Sequence, residues 1–256
     1  MLNINPTMTI AFVFALALTG CLMKLLSLLP PPRTQRTRWL FLLSPLVSPN
    51  SLKRSKPLNQ VPRLLRRTLV ATVALPLFYF ANWQLQARFG LPAPVRSYLG
   101  IPGVCLLGEL LGCSVGLFWS WSGRVLPGIL NEPWQARGIA DFWGNRWNLW
   151  FSDWFRFVIF NRLRHRPVVA LFAVFGVSGL MHEWVVNLPL FLLTGTNLFG
   201  SMMAYFLLQA AGALLERRIS KTRSGARRSL AWLVVFIPAP LVINEGLLRA
   251  VWLWQG

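Results

Sequence analysis

The sequence predicts an all-α protein that crosses a membrane about six or more times and carries one further helix along the membrane surface. Three observations support this prediction: the composition, a series of long apolar stretches, and an aromatic segment too polar to span. Of the 256 residues, 55% are hydrophobic and 13% are charged, and that is about half the charge of a soluble domain. No repeat or linker divides the chain, so we interpret residues 1–256 as one membrane-embedded domain.

Six apolar stretches approach the roughly 20 residues that a helix needs to span the hydrocarbon core. They lie at about 8–29, 68–87, 99–121, 167–192, 198–215 and 229–254. A shorter apolar piece, residues 39–43, runs into Pro45 and Pro49, so we expect it to be re-entrant or interfacial. The chain from the first stretch to about Pro62 is expected to be a loop on the membrane surface.

The net charge of +19 is distributed in a way that favours membrane topology over nucleic-acid binding. Basic residues cluster between the first and second, third and fourth, and fifth and sixth stretches, whereas the alternate loops hold only Arg88 and Arg96. By the positive-inside rule, the three basic loops are cytoplasmic and the N-terminus is outside. A bacterial inner membrane and an endoplasmic reticulum would give the same pattern. Membrane lipids, and not nucleic acids, are the expected partners of this charge.

The three cysteines, Cys21, Cys105 and Cys113, all lie in apolar runs. None has CxxC or Cys/His spacing, so we expect small buried hydrophobic residues and no metal site. Residues 18–21 have the pattern of a lipoprotein cleavage box, but no Lys or Arg precedes this apolar stretch and the stretch continues beyond Cys21. We therefore expect a retained helix.

Residues 143–160 form the predicted surface helix. At about 100° per residue, one arc of this helix holds Trp143, Trp147, Trp150, Phe151, Trp154 and Val158. The opposite arc holds Asn145, Asn148, Ser152 and Arg156. This pattern predicts an amphipathic helix on the cytoplasmic interface with its tryptophans at headgroup depth. A plain interfacial anchor is the alternative to a functional role.

A histidine, His182, lies within the apolar run VVALFAVFGVSGLMHEWVV. An imidazole near the middle of a membrane is costly to place, so it raises a functional hypothesis beside the simpler one of a structural histidine. Ser178, one turn earlier, could bond the imidazole or a backbone carbonyl. Glu183 points about 100° away and is expected to pair with a polar or basic group on a neighbouring helix. Gly176 and Gly179 would let that helix approach closely.

Together these segments resemble the wax synthase branch of the membrane-bound O-acyltransferase superfamily. A Phe-Trp-Gly-x-x-Trp-Asn box is matched by Phe142, Trp143, Gly144, Trp147 and Asn148. A Ser-Gly-x-x-His-Glu signature is matched by Ser178, Gly179, His182 and Glu183. The order and separation agree with the family over a motif core of about 130–190. Superfamily members are generally longer, so the reaction chamber is expected to be minimal, incomplete, or completed by a second subunit in a homo-oligomer.

The resemblance implies transfer of an acyl group from acyl-CoA, a co-substrate and not a bound cofactor, to the hydroxyl of an alcohol. His182 becomes the expected general base, because desolvation keeps an imidazole neutral and able to accept the alcohol proton. Asn148 is expected to polarise or orient the thioester or to hold its oxyanion. The acceptor stays open among fatty alcohols, sterols, diacylglycerol and small alcohols. No metal and no permanently bound cofactor are implied.

The donor side of the expected site involves the aromatic box and nearby arginines. Trp143 and Trp147 could line an acyl tunnel, and Arg146 and Arg156 could neutralise the donor phosphates. Interface anchoring and inside-positive topology explain the same residues without any donor contact.

Two other functions fit the composition. In a transporter or channel, His182 and Glu109 would line a path for protons or solutes, whereas a silent scaffold would keep the motifs without turnover. Glu109, in the third stretch, is expected to meet an arginine or face a cavity, with no catalytic role.

Overall fold

The computed structural model is a bundle of helices with one short strand pair. It describes residues 6–27, 53–54, 60–120, 124–126, 128–220 and 222–254. In these ranges the helices are α1 (Pro6–Ser27), α2 (Val61–Phe89), α3 (Ala93–Ser120), α4 (Ile139–Asp141), α5 (Leu149–Phe155), α6 (Pro167–His182), α7 (Leu188–Thr194), α8 (Ser201–Glu216), α9 (Ser224–Phe236) and α10 (Glu245–Ala250). The strands β1 (Lys53–Arg54) and β2 (Arg124–Val125) pair antiparallel.

Shorter helical turns connect these elements. Three π-helical segments follow α4, α5 and α6, at Phe142–Arg146, Arg156–Phe160 and Glu183–Asn187. Two 3₁₀ turns lie at Pro133–Gln135 and Ala239–Leu241. The apolar piece at 39–43, and most of the expected surface loop around it, lie outside the described residues.

Four described helical segments are long and apolar enough to cross a membrane. They are α1, α2, α3 and the 28-residue segment Pro167–Thr194, which α6 and α7 form with the π-helical turn between them. These four match the first four predicted stretches. The fifth stretch corresponds to α8, which is apolar but has 16 residues. The count of six spans therefore stays a prediction.

The expectation of one continuous span at 229–254 was wrong. α9 ends at Phe236, and a 3₁₀ turn separates it from the short α10. Pro238 and Pro240 explain the interruption, since a proline has no N–H to continue a helical ladder. The helix is interrupted where the hydropathy alone predicted a continuous crossing.

After this turn, the C-terminal segment fits between α1 and α2. The carbonyl of Leu253 accepts hydrogen bonds from the side-chain amides of Asn82 (3.3 Å) and Gln86 (2.9 Å). On the other side, the Thr9 hydroxyl donates to the carbonyl of Ala250 at 2.9 Å. Polar side chains of two apolar helices thus supply the partners that this non-helical backbone needs.

The α2–α3 pair contains Glu109, the acid in the third apolar stretch, which is half-buried. Arg67 donates from Nε and Nη2 to both carboxylate oxygens of Glu109, with an Nη2–Oε2 distance of 2.7 Å. The expectation that Glu109 meets an arginine is confirmed. The same two side chains line an open groove of about 400 Å³. That Glu109 faces a substrate cavity stays a prediction.

The cysteines differ in burial. Cys113 is buried and Cys105 is half-buried, but Cys21 is exposed on α1. The prediction of burial was wrong for Cys21, because this face of α1 also exposes Leu18, Leu22 and Leu25 and packs against no other described helix there. An apolar run alone does not tell which face of its helix meets protein.

Removing either partner of the Arg67–Glu109 pair should destabilise the protein. We expect R67A and E109A each to lower the free energy of unfolding by about 1–3 kcal/mol, because the remaining charge loses a bidentate partner. The double variant R67M/E109L should recover most of this loss, since it removes both charges and keeps apolar volume. Thermal unfolding in detergent measures all three. Additive losses in the double variant would contradict an energetic coupling of the pair.

Candidate active site

The aromatic box lies in a bent segment between α3 and α6. The π-helical turn Phe142–Arg146 ends in an extended Trp147, and Asn148 adopts the left-handed conformation, with φ 45° and ψ 59°. Asparagine is among the few non-glycine residues that tolerate this region. α5 begins at the next residue. The prediction of one continuous helix over 143–160 is therefore wrong, because the helix is interrupted at Trp147 and Asn148.

Backbone hydrogen bonds from an upstream stretch explain this break. The N–H of Asn131 donates to the carbonyl of Arg146 at 2.8 Å, and the N–H of Leu149 donates to the carbonyl of Ile129 at 3.0 Å. These tertiary bonds take groups out of the helical ladder on either side of Trp147 and Asn148. The two halves of the segment consequently point in different directions.

The second half of the segment packs on protein with the face that the helical wheel predicted. Trp150, Trp154 and Val158 are buried, in a cluster with residues of α1 and α6. The Trp154 indole donates to the carbonyl of Met23 (3.0 Å) and to the hydroxyl of Ser27 (2.9 Å). The wheel identified the apolar face correctly. That this face lies at headgroup depth stays a prediction.

Trp143 anchors the first half of the segment against α6 and α8. Its ring centroid lies 5.9 Å from that of Phe175 and 5.7 Å from that of Phe206. Its indole N–H donates to Oε1 of the fully buried Gln209 at 3.2 Å. The loop therefore folds inward against the fourth span.

Asp141 organises the polar side of the box. Its carboxylate accepts hydrogen bonds from Arg146 Nε (2.7 Å), from the N–H of Arg137 (3.0 Å) and from the Asn145 amide (3.1 Å). Partial burial acts to raise the pKa of Asp141, but these donors outweigh it and hold that pKa below its ordinary value. Sequence reasoning missed Asp141, although it directly precedes the box; the arginine five residues later was the available signal.

The other residues predicted on the donor side differ in whether they are already engaged by other protein groups. Arg146 is held by Asp141, whereas Arg156 is exposed and bonds only the carbonyl of Gly144, at 3.2 Å, among the described residues. Trp147 stacks on Phe142 with centroids 5.6 Å apart and ring planes 14° apart.

The imidazole of His182 is fixed at one nitrogen. Its Nδ1 lies 2.7 Å from the carbonyl oxygen of Ser178. A carbonyl can only accept, so the neutral ring carries its hydrogen on Nδ1 and keeps a lone pair on Nε2. The ring thus meets the backbone carbonyl of Ser178, and the partner of the Ser178 hydroxyl, the imidazole or a carbonyl of the previous turn, stays a prediction. This is the protonation state that a general base needs.

One phenyl ring joins the histidine to the aromatic box. The ring of Phe206 lies 4.6 Å from His182 and 5.7 Å from Trp143, centroid to centroid. The side-chain amide of Asn148 makes no hydrogen bond within the described part of the chain, while its carbonyl accepts from the N–H of Ser152 at 3.0 Å. The structure thus brings His182 near Trp143. A cavity shared by His182 and Asn148 stays a prediction.

Glu183 is buried and bonds across to α8. Its Oε1 accepts from the N–H of Met203 at 3.0 Å, and its Oε2 accepts from the side-chain amide of Asn187 at 2.7 Å. The expected pairing with a neighbouring helix is confirmed. A methyl group at Gly179 would lie 3.0 Å from the Cα of Met203, so this glycine permits the approach. A methyl at Gly176 would meet nothing within 4 Å, so the expectation for Gly176 was wrong.

A second acid fixes the start of the box from the other end of α8. Glu216, 1% exposed, accepts from Arg227 Nη2 at 2.6 Å and from the N–H of Ala140 at 3.1 Å. Gly138 makes room for it, since a methyl there would overlap the carboxylate at 1.9 Å. The signal in the sequence was a lone glutamate at the end of an apolar stretch. Over the described residues, no three His, Cys, Asp or Glu side chains group as a metal site would.

Comparison with known proteins matches this part of the chain. Residues 126–208 fit the family model of the membrane bound O-acyl transferases. The predicted family resemblance is confirmed. Both motifs lie within the matched residues, and the chain, with its four apolar helices, is an integral membrane protein.

Several plant relatives are named as O-acyltransferases of long-chain alcohols or sterols. A long-chain-alcohol O-fatty-acyltransferase of Simmondsia chinensis is 33% identical over 38% of this chain and 30% of the relative. An acyl-CoA–sterol O-acyltransferase of Arabidopsis thaliana is 28% identical over 46% of this chain and 36% of the relative. A probable long-chain-alcohol O-fatty-acyltransferase of the same plant is 30% identical over 69% and 52%, respectively. The chain therefore spans about a third to a half of these relatives.

Replacing Asp141 should loosen the box in a pH-dependent way. D141N loses the charge that Arg146 pairs with, so we expect a lower thermal midpoint than wild type at pH 7. Because the pKa of Asp141 is lowered in the folded protein, its contribution is present above the unfolded pKa of about 4. The contribution fades as the pH falls from there toward the folded pKa. Melting curves between pH 7 and pH 3 should converge; a gap that widens in acid would contradict the sign.

A methyl scan of two glycines tests the α6–α8 contact. G179A should lower the thermal midpoint, because its methyl presses on the Met203 backbone. G176A is the matched control one helical turn away and should be neutral or slightly stabilising, since alanine is the better helix former by about 1 kcal/mol. Equal effects at both positions, measured by thermal unfolding in detergent, would contradict this close approach.

Proposed function

We propose that this protein is an acyl-CoA-dependent O-acyltransferase of the wax synthase type, which esterifies a lipophilic alcohol supplied by the membrane. The observation that carries the proposal is the imidazole of His182, whose Nδ1 is held by the Ser178 carbonyl and whose Nε2 is left to accept a proton. It lies in an apolar span within the residues that fit the acyltransferase family.

In this mechanism His182 activates the acceptor directly. Its Nε2 takes the hydroxyl proton while the alcohol oxygen attacks the thioester carbonyl carbon and forms the new C–O bond. The tetrahedral intermediate collapses with cleavage of the C–S bond. The thiolate of CoA leaves and takes the proton back from the imidazolium, so the base is restored without a covalent enzyme intermediate.

Asn148 is assigned to the thioester side. An amide N–H aimed at the carbonyl oxygen would stabilise the charge that develops there in the transition state. Its left-handed backbone and the absence of a side-chain hydrogen bond within the described residues support this role, because the amide is not already engaged.

The donor enters beside the aromatic box. Trp143 and Trp147 would border the acyl chain, and Arg156, which is exposed, is the better candidate for the CoA phosphates. Arg146 could contribute only by sharing its guanidinium between Asp141 and the donor.

The acceptor is a long-chain alcohol or a sterol in this proposal, by similarity to the relatives named for those substrates. Six spans, cytoplasmic basic loops, an interfacial box and a single domain belong to the same proposal. Acyl-CoA then approaches from the cytoplasm, while the alcohol arrives through the bilayer. A second copy of the chain is the proposed source of any chamber wall that one copy lacks.

Ester formation tests the proposal. In membranes given labelled acyl-CoA and a panel of long-chain alcohols and sterols, wild type should form ester. H182A should lose about a hundredfold or more of this activity, because a positioned base contributes that much. N148A should lose a similar amount through its oxyanion contact.

The chain provides a control for each variant. H165A removes the other histidine, which is exposed, and N161A removes an exposed asparagine. Both should retain wild-type turnover and membrane content. Unchanged ester formation in H182A and N148A would overturn the mechanism, and an inactive wild type across the panel would point to the transporter or scaffold alternatives.

A further inference from the structure

We propose that Glu183 is a positioning residue, which locks the register of α8 against α6 and thereby holds the Phe206 ring over the imidazole of His182. The inference rests on the proposed role of His182 as general base. It assigns a function to a buried polar cluster that the acyl-transfer mechanism does not otherwise use.

The first contact in the lock joins Glu183 to the N-terminal turn of α8. α8 starts at Ser201, so the N–H of Met203 is one of the groups that a helix cannot satisfy internally. Glu183 Oε1 accepts from that N–H at 3.0 Å, and a carboxylate near a helix N-terminus is also favoured by the helix dipole. Since Gly179 lets the two backbones touch at Met203, this bond fixes where along α6 the second helix sits.

The second contact transmits this register to the histidine. Phe206 follows Met203 by three residues and therefore lies about one helical turn farther along the same side of α8. Its ring centroid is 4.6 Å from that of His182. A slip of α8 by one residue would move the ring by about 1.5 Å along the helix axis and by about 100° around it. The imidazole would then lose the Phe206 ring that it packs against.

The remaining contacts hold the carboxylate itself. The Asn187 side chain is fully buried, and its amide nitrogen shares two hydrogens among three acceptors: Glu183 Oε2 (2.7 Å), the carbonyl of Leu198 (3.0 Å) and the hydroxyl of Ser201 (3.2 Å). Its own Oδ1 accepts from the Asn244 amide at 2.9 Å. Four chain segments thus meet in one hydrogen-bond network. A polar group of this network without a partner would be costly, because the network is buried.

The π-helical turn Glu183–Asn187 brings the two ends of this network together. The N–H of Leu188 bonds the carbonyl of Glu183, five residues back, so the helix is locally widened directly after His182. Such π-bulges often mark functional sites. Here the turn aims both Glu183 and Asn187 at α8 while Nδ1 of His182 stays bonded within α6.

A polarity swap provides the sharpest test. E183Q keeps one acceptor for Met203 but presents a donor to the donor amide of Asn187, so the bond that orients the carboxylate is lost with little change in volume. E183Q/N187D reverses donor and acceptor, restores that bond and keeps the net charge of wild type, but it gives up the Asn187 bonds to Leu198 and Ser201. E132Q is the matched control, because it removes an exposed glutamate outside the network.

Steady-state kinetics in membranes should separate positioning from folding. We expect E183Q to lower kcat about tenfold or more, with KM for acyl-CoA changed less than about threefold, because the lost contact orients the base without touching the donor. E183Q/N187D should recover part of kcat, because one of the three Asn187 contacts is restored, and E132Q should match wild type. A rise in KM alone, or wild-type kcat in E183Q, would overturn the proposal.

A spectroscopic readout does not depend on activity. The chain has two histidines, so H165Q protein labelled with ¹⁵N-histidine reports only His182. Its ring nitrogen shifts should identify the Nδ1–H tautomer, move in E183Q and return in E183Q/N187D. If wild type forms no ester but these shifts follow the network, the acyltransferase proposal fails and the lock stands. Shifts that are unchanged in E183Q overturn the lock.

The variant F206L tests the same proposal even if the E183Q protein does not accumulate in the membrane. It leaves the polar network intact and removes only the ring that the network positions. We expect the same loss of kcat and a change in the His182 shifts, at wild-type membrane content. Wild-type kcat and shifts in F206L would overturn the proposal regardless of how E183Q behaves.

Discussion

The close approach of α6 and α8 at Gly179 and Met203 is the contact on which the rest of the site depends. Only with the two helices this near can Phe206 reach His182, and only then can Trp143 pack against Phe206 and Phe175 together. The aromatic box is therefore attached to the histidine span both directly, at Phe175, and through α8, which carries neither motif. Small residues have this effect in membranes because they let backbones approach without a hydrophobic driving force.

Buried polar groups in this protein follow a second constraint, the lack of water in a bilayer core. Gln209 bonds both the indole of Trp143 and the carbonyl of Val234, and the hydroxyl of Tyr205 donates to the carbonyl of Val235 at 3.3 Å. In the described part of the chain, Thr68 Oγ1 alone is a buried side-chain polar atom without a partner. Polar side chains in these helices act as specific cross-links, since each would be expensive to leave unpaired.

Acidic residues are few in this chain, and several of them either join two helices or hold the aromatic box in place. The chain has seven Asp and Glu residues against 26 Lys and Arg. Glu109 joins α2 to α3, whereas Asp141 and Glu216 hold the two ends of the turn that presents the aromatic residues. Glu183 differs from these three, because among the described residues its partners are neutral N–H groups.

Much of this protein follows from the sequence by itself. Hydropathy identified four candidate spans, the costly charges pointed to Glu109 and His182, and two short motifs pointed to the family resemblance. These features are local, so composition and spacing determine them. The break at Asn148, the position of the C-terminal segment and the choice of Gly179 over Gly176 were decided only by the tertiary structure. Each depends on a partner far away in the chain: a backbone carbonyl at Ile129, the amides of Asn82 and Gln86, and the backbone of Met203. Which distant group completes a hydrogen bond or fills a gap is a property of packing, and a single sequence does not encode it in any local pattern.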